Sequence, residues 1–401
     1  MQLLIWIISV LVILLFAFLS LAIFYLFLLA AFWWLRRPGT SGKIPPQKRF
    51  AILIPAHNEE AVITQCLKSV QNLNYYEQFY QTFVIADNCS DATAQIAQEH
   101  RATIWERQDS KKRGKGFALA WGLARLKLED FDAVVILDAD CIVRENLLPA
   151  FNQRLLLGQQ ILQACDGIHN FRQSFLTYLL YLGNLVENFL FYGGRENLRL
   201  SSFLRGTGMC FSAALLQRQS WESFSETEDL EFSLKLLKEG ISVNFVPETC
   251  VLAIQPTKFQ TAYTQKRRWA KGTFSLIRRN FTKLLGQGIR KWKFSMVEAA
   301  FALLLLSRPL LIYLNLLGIF LALAIFSSKG QTLFWWGIVL LLAQTLYLGS
   351  SVFLASDKIK ALRSLLLAPF YLLWLLLVQL TSLKGGEKPG WEKTARENAK
   401  A

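Results

Sequence analysis

The sequence predicts an α/β domain with a mostly parallel sheet, flanked by transmembrane helices. Three observations carry that reading. Leu3–Leu35 is a run of about 33 positions without a charge. From Phe50 to about Val251, short apolar runs alternate with helical stretches. Strands alternating with helices argue for a largely parallel sheet. From Met296 onward the composition is again that of a membrane protein.

The first element is an anchor. A helix needs roughly 20 apolar residues to cross a ~30 Å hydrocarbon core. Leu3–Leu35 is therefore long enough for one tilted span and too short for two. A secretory leader shows a basic start, an apolar core of about 7–15 residues and a small-residue cleavage site. Here the run follows Met1-Gln2 and closes on Phe32-Trp33-Trp34, aromatics suited to a membrane interface. Residues 1–36 are expected to be retained. Arg36, Arg37, Lys43, Lys48 and Arg49 come next, which places the middle of the chain in the cytosol. The expected location is the cell inner membrane.

Residues 37–49 read as a polar linker and 50–262 as the catalytic domain. Its expected strands are Phe50–Ile54, Phe83–Ala86, Ala102–Trp105, Ala133–Leu137, Ile161–Ala164, Met209–Ser212 and Val243–Val246. The expected helices are Glu59–Val70, Ala92–Gln98, Gly116–Lys127, Phe175–Phe191 and Asp229–Glu239. Such sheets bind ligands beyond the carboxyl ends of their strands.

The net charge of +15 raises the question of nucleic acid. Much of it sits between Tyr263 and Lys293, which holds ten basic residues and no acidic one. Beside apolar runs such a segment reads as attraction to anionic lipid headgroups. Residues 263–295 are therefore assigned to interfacial helices, and nucleic-acid binding is set aside. Met296–Phe326, Thr332–Ala355 and Ser364–Leu383 are three further membrane candidates within 296–383, with Arg308-Pro309 interrupting the first. Residues 384–401 form a tail. The six cysteines form no CxxC pair and no zinc-ligand cluster, so they are expected reduced and structural.

Polar clusters fall where strands should end. Asp87 follows Phe83–Ala86, where a carboxylate can accept hydrogen bonds from a base or ribose, although Asp-Asn is also a common turn pair. Asp138-Ala139-Asp140 follows an apolar strand. Two carboxylates so close are costly without a cation, and such oxygen ligands suit Mg2+ or Mn2+ with room for phosphate oxygens. Thr227-Glu228-Asp229 opens a helix that Thr227 can cap, and Asp229 can act as general base if it faces the metal site. Gln265-Lys266-Arg267-Arg268-Trp269 offers Arg268 to phosphate and Trp269 as a flat face to a sugar.

The order Ile54-Pro55-Ala56-His57-Asn58-Glu59-Glu60, Asp87, Asp138/Asp140, Thr227-Glu228-Asp229, Gln265…Arg268-Trp269 resembles the family 2 glycosyltransferases. In particular it resembles the membrane-integrated branch with cellulose, chitin, hyaluronan and poly-N-acetylglucosamine synthases and ceramide glucosyltransferases. The resemblance covers roughly Phe50 to Lys271. It implies a GT-A nucleotide-diphospho-sugar transferase domain that uses Mg2+ or Mn2+. It implies that Asp87 contacts the base and ribose, that Asp138 and Asp140 form the DxD pair with Asp140 the direct metal ligand, and that Asp229 is the base. Pro55, His57, Glu59, Lys115, Gln265, Arg268 and Trp269 would then line the donor, with Lys115 in the loop Arg113-Gly114-Lys115-Gly116. Gly206, Thr207, Glu228 and Trp269 would face the acceptor. Lys266 departs from the usual Gln or Arg, and Gly206-Thr207-Gly208-Met209-Cys210 differs from the cellulose synthase wording. Trp391…Thr394…Arg396 resembles a terminal motif of bacterial relatives that lies on the cytosolic face.

The implied activity is inverting transfer from a nucleotide sugar, UDP-linked by expectation, to a growing polysaccharide. A single membrane lipid is the alternative acceptor, and a non-catalytic scaffold subunit the alternative of another class. A small membrane part would call for an export partner or an oligomer if a polymer is threaded. The expectation for the site is that Asp87, Asp140, Asp229 and Arg268 meet around one divalent ion.

Overall fold

A computed structural model of the chain describes residues 2–35, 44–325 and 327–382. The tail and its Trp391 motif therefore lie outside the described residues, as do Arg36, Arg37 and Lys43. Eight strands form one sheet in the order β3-β2-β1-β4-β7-β6-β8-β5. They are β1 (Phe50–Ala56), β2 (Tyr80–Asp87), β3 (Thr103–Arg107), β4 (Ala133–Ile136), β5 (Cys141–Val143), β6 (Ile161–Ile168), β7 (Met209–Ser212) and β8 (Asn244–Ala253).

β1 is buried at every position, as its unbroken apolar sequence requires of a strand covered on both faces. It pairs in parallel with β2 on one side (Leu53↔Phe83) and with β4 on the other (Leu53↔Ile136). The chain runs outward through β2 to β3 and then returns to β4. A topological switch point thus opens beside β1, where ligands of open α/β sheets bind. β4 pairs antiparallel with β7, and β7 with β6, before β6 and β8 pair in parallel again.

The flanking helices begin with α1 (Gln2–Trp34), α2 (Ile63–Gln71), α3 (Thr93–Glu99), α4 (Lys115–Arg125) and α5 (Leu147–Leu156). α2 starts four residues later than expected. The Glu59 and Glu60 amides instead donate to Thr93 Oγ1 and the Asp91 carboxylate, which ties the loop after β1 to the loop after β2. β5 and α5 were not expected. β5 is only three residues long, and its antiparallel partner β8 lies more than a hundred positions away.

The stretch expected as one helix to Phe191 divides. α6 (Phe175–Leu185) continues as a π-helix, Val186–Gly193, and then as α7 (Gly194–Asn197). The cause is the anchor: a Cβ on Gly194 would stand 2.2 Å from the Leu29 carbonyl of α1. α1 and α7 approach backbone to backbone there, and Gly193, the last residue of the π-helix, lies against the Trp33 ring. Trp33, expected at the membrane interface, packs on Phe189 at 5.1 Å and so joins the anchor to the α/β domain.

α8 (Ala213–Arg218) and α9 (Glu228–Lys238) complete the domain. α10 (Phe259–Arg290) runs unbroken through the boundary expected at 262/263 and carries the basic stretch. Beyond it lie α11 (Phe294–Leu304), α12 (Arg308–Leu323), α13 (Ser328–Gly349), α14 (Ser351–Leu354), α15 (Lys358–Leu365) and α16 (Ala368–Ser382). Two helices are long and apolar enough to cross a membrane, Gln2–Trp34 and Ser328–Leu354. The pairs α11/α12 and α15/α16 are bent by 70° and 60°, so the described residues hold up to four spans only if each bent pair counts as one.

Candidate active site

The loops beyond β1, β2 and β4 build the site. Asp138 and Asp140 lie on the turn after β4, half-buried, while Ala139 between them turns into the core at 4% exposure. The Asp138 amide donates to Thr207 Oγ1 at 3.0 Å, which fastens this turn to the segment before β7. Gly206 has φ +83, a left-handed conformation that favours glycine. That turn aims its carbonyl at Lys115 Nζ, 2.7 Å away.

Lys115 is the hub. Its ammonium lies 2.5 Å from Asp138 Oδ1 and 3.7 Å from Glu228 Oε1. A Cβ on Gly206 would stand 3.4 Å from both Lys115 Nζ and Asp229 Oδ2. Asp138, Lys115, Gly206, Thr207, Glu228 and Asp229 are therefore brought together. Burial pulls the lysine pKa down, but Asp138 and then Glu228 outweigh it and the group ends above its ordinary range. Burial raises the Asp229 carboxyl, with Lys115 offsetting part of the effect. Burial also raises Glu228, to about 7, again against Lys115.

Thr227 does not cap α9. Its side chain makes no cap hydrogen bond, and the Leu230 amide is taken by Asp229 Oδ1 at 2.8 Å. The reason is α10, whose Gly272 sits against the Thr227 methyl: a Cβ there would stand 2.7 Å from Cγ2. Gln265, Arg268 and Gly272 fall at i, i+3 and i+7 and so share one face of α10, which Gly272 seats on Thr227. Gln265 Oε1 is buried on that helix without a hydrogen-bond partner. Trp269 is 39% exposed, with Lys266 Nζ 4.8 Å from its ring centroid.

Asp87 belongs to a neighbouring pocket. β1 separates β2 from β4, so the ends of the two outer strands are about 10 Å apart. Asp87 is 1% exposed and lies 2.5 Å from Arg107 Nη1. Its carbonyl is 2.7 Å from His57 Nδ1. Pro55 is the next-to-last residue of β1, and His57 and Glu59 lie in the loop that follows. Arg107 was not foreseen; its only signal is a basic residue closing β3.

The donor set after β4 fits Mg2+ or Mn2+. Such an ion takes one or two protein carboxylates and completes its shell with substrate phosphates and water. Asp138 and Asp140 would supply that pair, and among the described residues no group of three or more His, Cys, Asp or Glu forms a closed cage. The Lys115 ammonium on Asp138 marks the same preference for a cation.

A second charged cluster adjoins this one and was missed. Arg205 Nη2 pairs with Asp166 Oδ2 at 3.0 Å and with Glu187 Oε2 at 3.5 Å, and Arg205 Nη1 donates to Asn188 Oδ1 at 2.6 Å. Glu187 and Asn188 come from the π-helix, a geometry that recurs at functional sites.

The fold is the GT-A type of nucleotide-sugar transferase. The chain belongs to glycosyltransferase family 2: the model for "Glycosyltransferase like family 2" matches residues 45–272. It is similar to the probable glycosyltransferase YdaM of Bacillus subtilis, 25% identical over 234 residues, 56% of this chain and 55% of that one. It is similar also to a β-monoglucosyldiacylglycerol synthase of Trichormus variabilis, 30% identical over 242 residues, 56% of this chain and 48% of that one. A poly-β-1,6-N-acetyl-D-glucosamine synthase of Staphylococcus epidermidis is 24% identical over 246 residues, 58% and 56% of the two chains. The chain spans about half the length of these curated relatives. Among solved structures, the mannosyltransferase PcManGT of Pyrobaculum calidifontis, in complex with GDP-Man and Mn2+, superposes with a TM-score of 0.58. At 19% identity it covers 91% of this chain and 99% of its own, and it shares the fold.

Proposed function

We propose that the chain is an inverting glycosyltransferase that moves a sugar from a nucleoside-diphosphate sugar to a hydroxyl at the membrane face, forming a β-glycosidic bond. The observation that carries this reading is the meeting of Asp229, Glu228, Lys115 and Asp138 beneath α10. Asp229 takes the proton of the acceptor hydroxyl. That oxygen attacks the anomeric carbon as the bond to the diphosphate breaks, and the electron pair leaves with the diphosphate. One displacement inverts the configuration. Lys115 and Arg268 orient phosphate oxygens, Asp87 and His57 the nucleoside, and Trp269 the acceptor sugar or headgroup. Asp138 and Asp140 would hold Mg2+ or Mn2+, which when bound neutralises charge on a departing diphosphate. A uridine diphosphate donor is the expectation.

A single membrane lipid is the acceptor this geometry favours over a growing polysaccharide. What supports it is the membrane part: among the described residues two helices are long and apolar enough to span, and two bent pairs beside them are a thin frame for threading a polymer. The 30% identity to a β-monoglucosyldiacylglycerol synthase supports it as well. Radiolabelled donor incubated with membranes should give one organic-extractable product; a high-molecular-weight ladder would restore the polysaccharide reading. Asp229→Asn should keep donor affinity and lose turnover by about 10²–10⁴-fold, the usual worth of a general base. A rate near that of the wild type would remove Asp229 from that role.

A further inference from the structure

One side chain in the middle of the sheet is neither apolar nor a member of the charged clusters. Gln163 lies on β6 between Leu162 and Ala164 and is 0% exposed. It pairs with Met209 of β7 on one side and with Phe245 of β8 on the other. A side-chain amide is costly to bury unless its donors and acceptor are filled. Gln163 fills them largely on one short segment. Its Oε1 accepts the Arg205 amide at 2.9 Å, and its Nε2 donates to the Thr207 carbonyl and the Ala164 carbonyl, each at 2.9 Å. One partner is an N–H and the other two are carbonyls, so the partners themselves fix which end of the amide is oxygen.

The bonds to Arg205 and Thr207 grip the chain on either side of Gly206. This stretch needs holding, because Gly206 and Gly208 both have left-handed backbones, φ +83 and +65, and glycine has the widest conformational freedom of any residue. The Gly208 carbonyl accepts the Ala164 amide at 2.8 Å, which ties the far end of the turn to β6 as well.

What the turn carries is the junction of the cleft. The Gly206 carbonyl accepts from Lys115 Nζ at 2.7 Å, and Thr207 Oγ1 accepts the Asp138 amide at 3.0 Å. Lys115 Nζ in turn stands 2.5 Å from Asp138 Oδ1. Lys115 and Asp138 are therefore each fastened to a residue whose backbone Gln163 holds, directly or through its neighbour. A change at Gln163 reaches both at once, although the side chain is too deeply buried to touch a substrate.

We propose that Gln163 is a positioning residue for the donor diphosphate: it fixes the Gly206-Thr207 turn and, through it, the place of the Lys115 ammonium and of the Asp138 turn. The task calls for an acceptor and a donor on one short side chain. Methionine offers neither, and an ionised glutamate sets a second oxygen against the Thr207 carbonyl. The inference rests on the reading of Lys115 and Asp138 as donor-binding groups.

The test measures uridine diphosphate binding by calorimetry to the full chain in neutral detergent with saturating Mn2+. Gln163→Met, close in size, should weaken binding about tenfold, the worth of the lost hydrogen bonds. The same change made in Lys115→Met should have little further effect, since residues that act through one contact are not additive. A merely structural role would give the same loss in both backgrounds. Equal affinity of wild type and Gln163→Met, or an equal loss in both backgrounds, would overturn the assignment. If a methionine variant does not fold, Gln163→Glu decides. Protonated, its carboxyl accepts from the Arg205 amide through one oxygen and donates to the Thr207 carbonyl through the other; ionised, it has no proton to donate. Its affinity should match that of the wild type at about pH 5 and fall below it by about pH 9, a span that brackets buried carboxyls. A ratio of the two affinities that stays constant over that span would overturn the assignment. Absence of Mn2+-dependent uridine diphosphate binding by the wild type would overturn the donor reading and this inference with it.

Discussion

Two neighbouring charge clusters in this chain are unbalanced in opposite directions. Around Lys115 the carboxylates of Asp138, Glu228 and Asp229 outnumber the single ammonium, with Asp140 next along the turn. Around Arg205 the cations outnumber the acids. The two are close enough for Asp138 to act on the Asp166 carboxyl. A protein that only needed to neutralise charge would merge them. Keeping them apart leaves the acid-rich cluster suited to a cation.

The largest effect that can break this comparison comes from removing each hub in turn. Lys115→Met leaves buried carboxylates uncompensated and should cost about 3 kcal/mol of stability. Mn2+ should restore part of that loss in a thermal melt, because a divalent ion can replace the ammonium. Arg205→Met should also lower the melting temperature, but Mn2+ should not help. Equal Mn2+ responses in the two variants would show that the clusters are not distinct in kind.

A smaller effect concerns the aromatic face over the cleft. Trp269→Ala should raise the acceptor KM by up to about tenfold, from a stacking contact worth about 0.5–1.5 kcal/mol. Its rate of donor hydrolysis should stay unchanged. Loss of hydrolysis together with transfer would instead make Trp269 part of the donor site.

The smallest effect is a pH dependence that sharpens the acid-rich side. Glu228 has its folded pKa raised to about 7 from an ordinary 4.5. A raised folded pKa means tighter proton binding in the native state, so this contribution is complete below about 4.5 and is lost as pH rises through 7. In metal-free protein the melting temperature of the wild type should therefore fall between about pH 5 and about pH 9, roughly two units either side of the raised value, by more than that of Glu228→Gln. Parallel profiles would place the titration elsewhere.

The two clusters also differ in how far they could be read from the sequence. Asp138-Ala139-Asp140 and Thr227-Glu228-Asp229 are short contiguous words at the end of a strand and the start of a helix, so local pattern places them. Lys115 was legible as part of a basic turn, but its contact with Asp138 was not. Asp166, Glu187, Arg205, Lys266 and Arg308 are spread over more than a hundred positions, and no two stand in a recognisable spacing. Their meeting involves the π-helix, which packs on α1 through Gly193 against Trp33, a contact no local pattern announces. Arg308-Pro309 was visible only as an interruption of an apolar run. Asp87 was expected just after its strand and is instead the last residue of β2; β1 intervenes, and it faces Arg107 rather than the acid-rich cluster. The strands of the sheet were legible because β1 and β4 are buried on both faces and read as apolar runs.

The central claim is that the acid-rich cluster takes a divalent ion together with a nucleoside diphosphate. The direct measurement is electron paramagnetic resonance of Mn2+ titrated into the full chain with and without uridine diphosphate. The expected result is a single bound Mn2+ whose affinity rises with the nucleotide and is lost in the double substitution Asp138→Asn and Asp140→Asn. Mn2+ binding that ignores both the nucleotide and the double substitution would contradict the account.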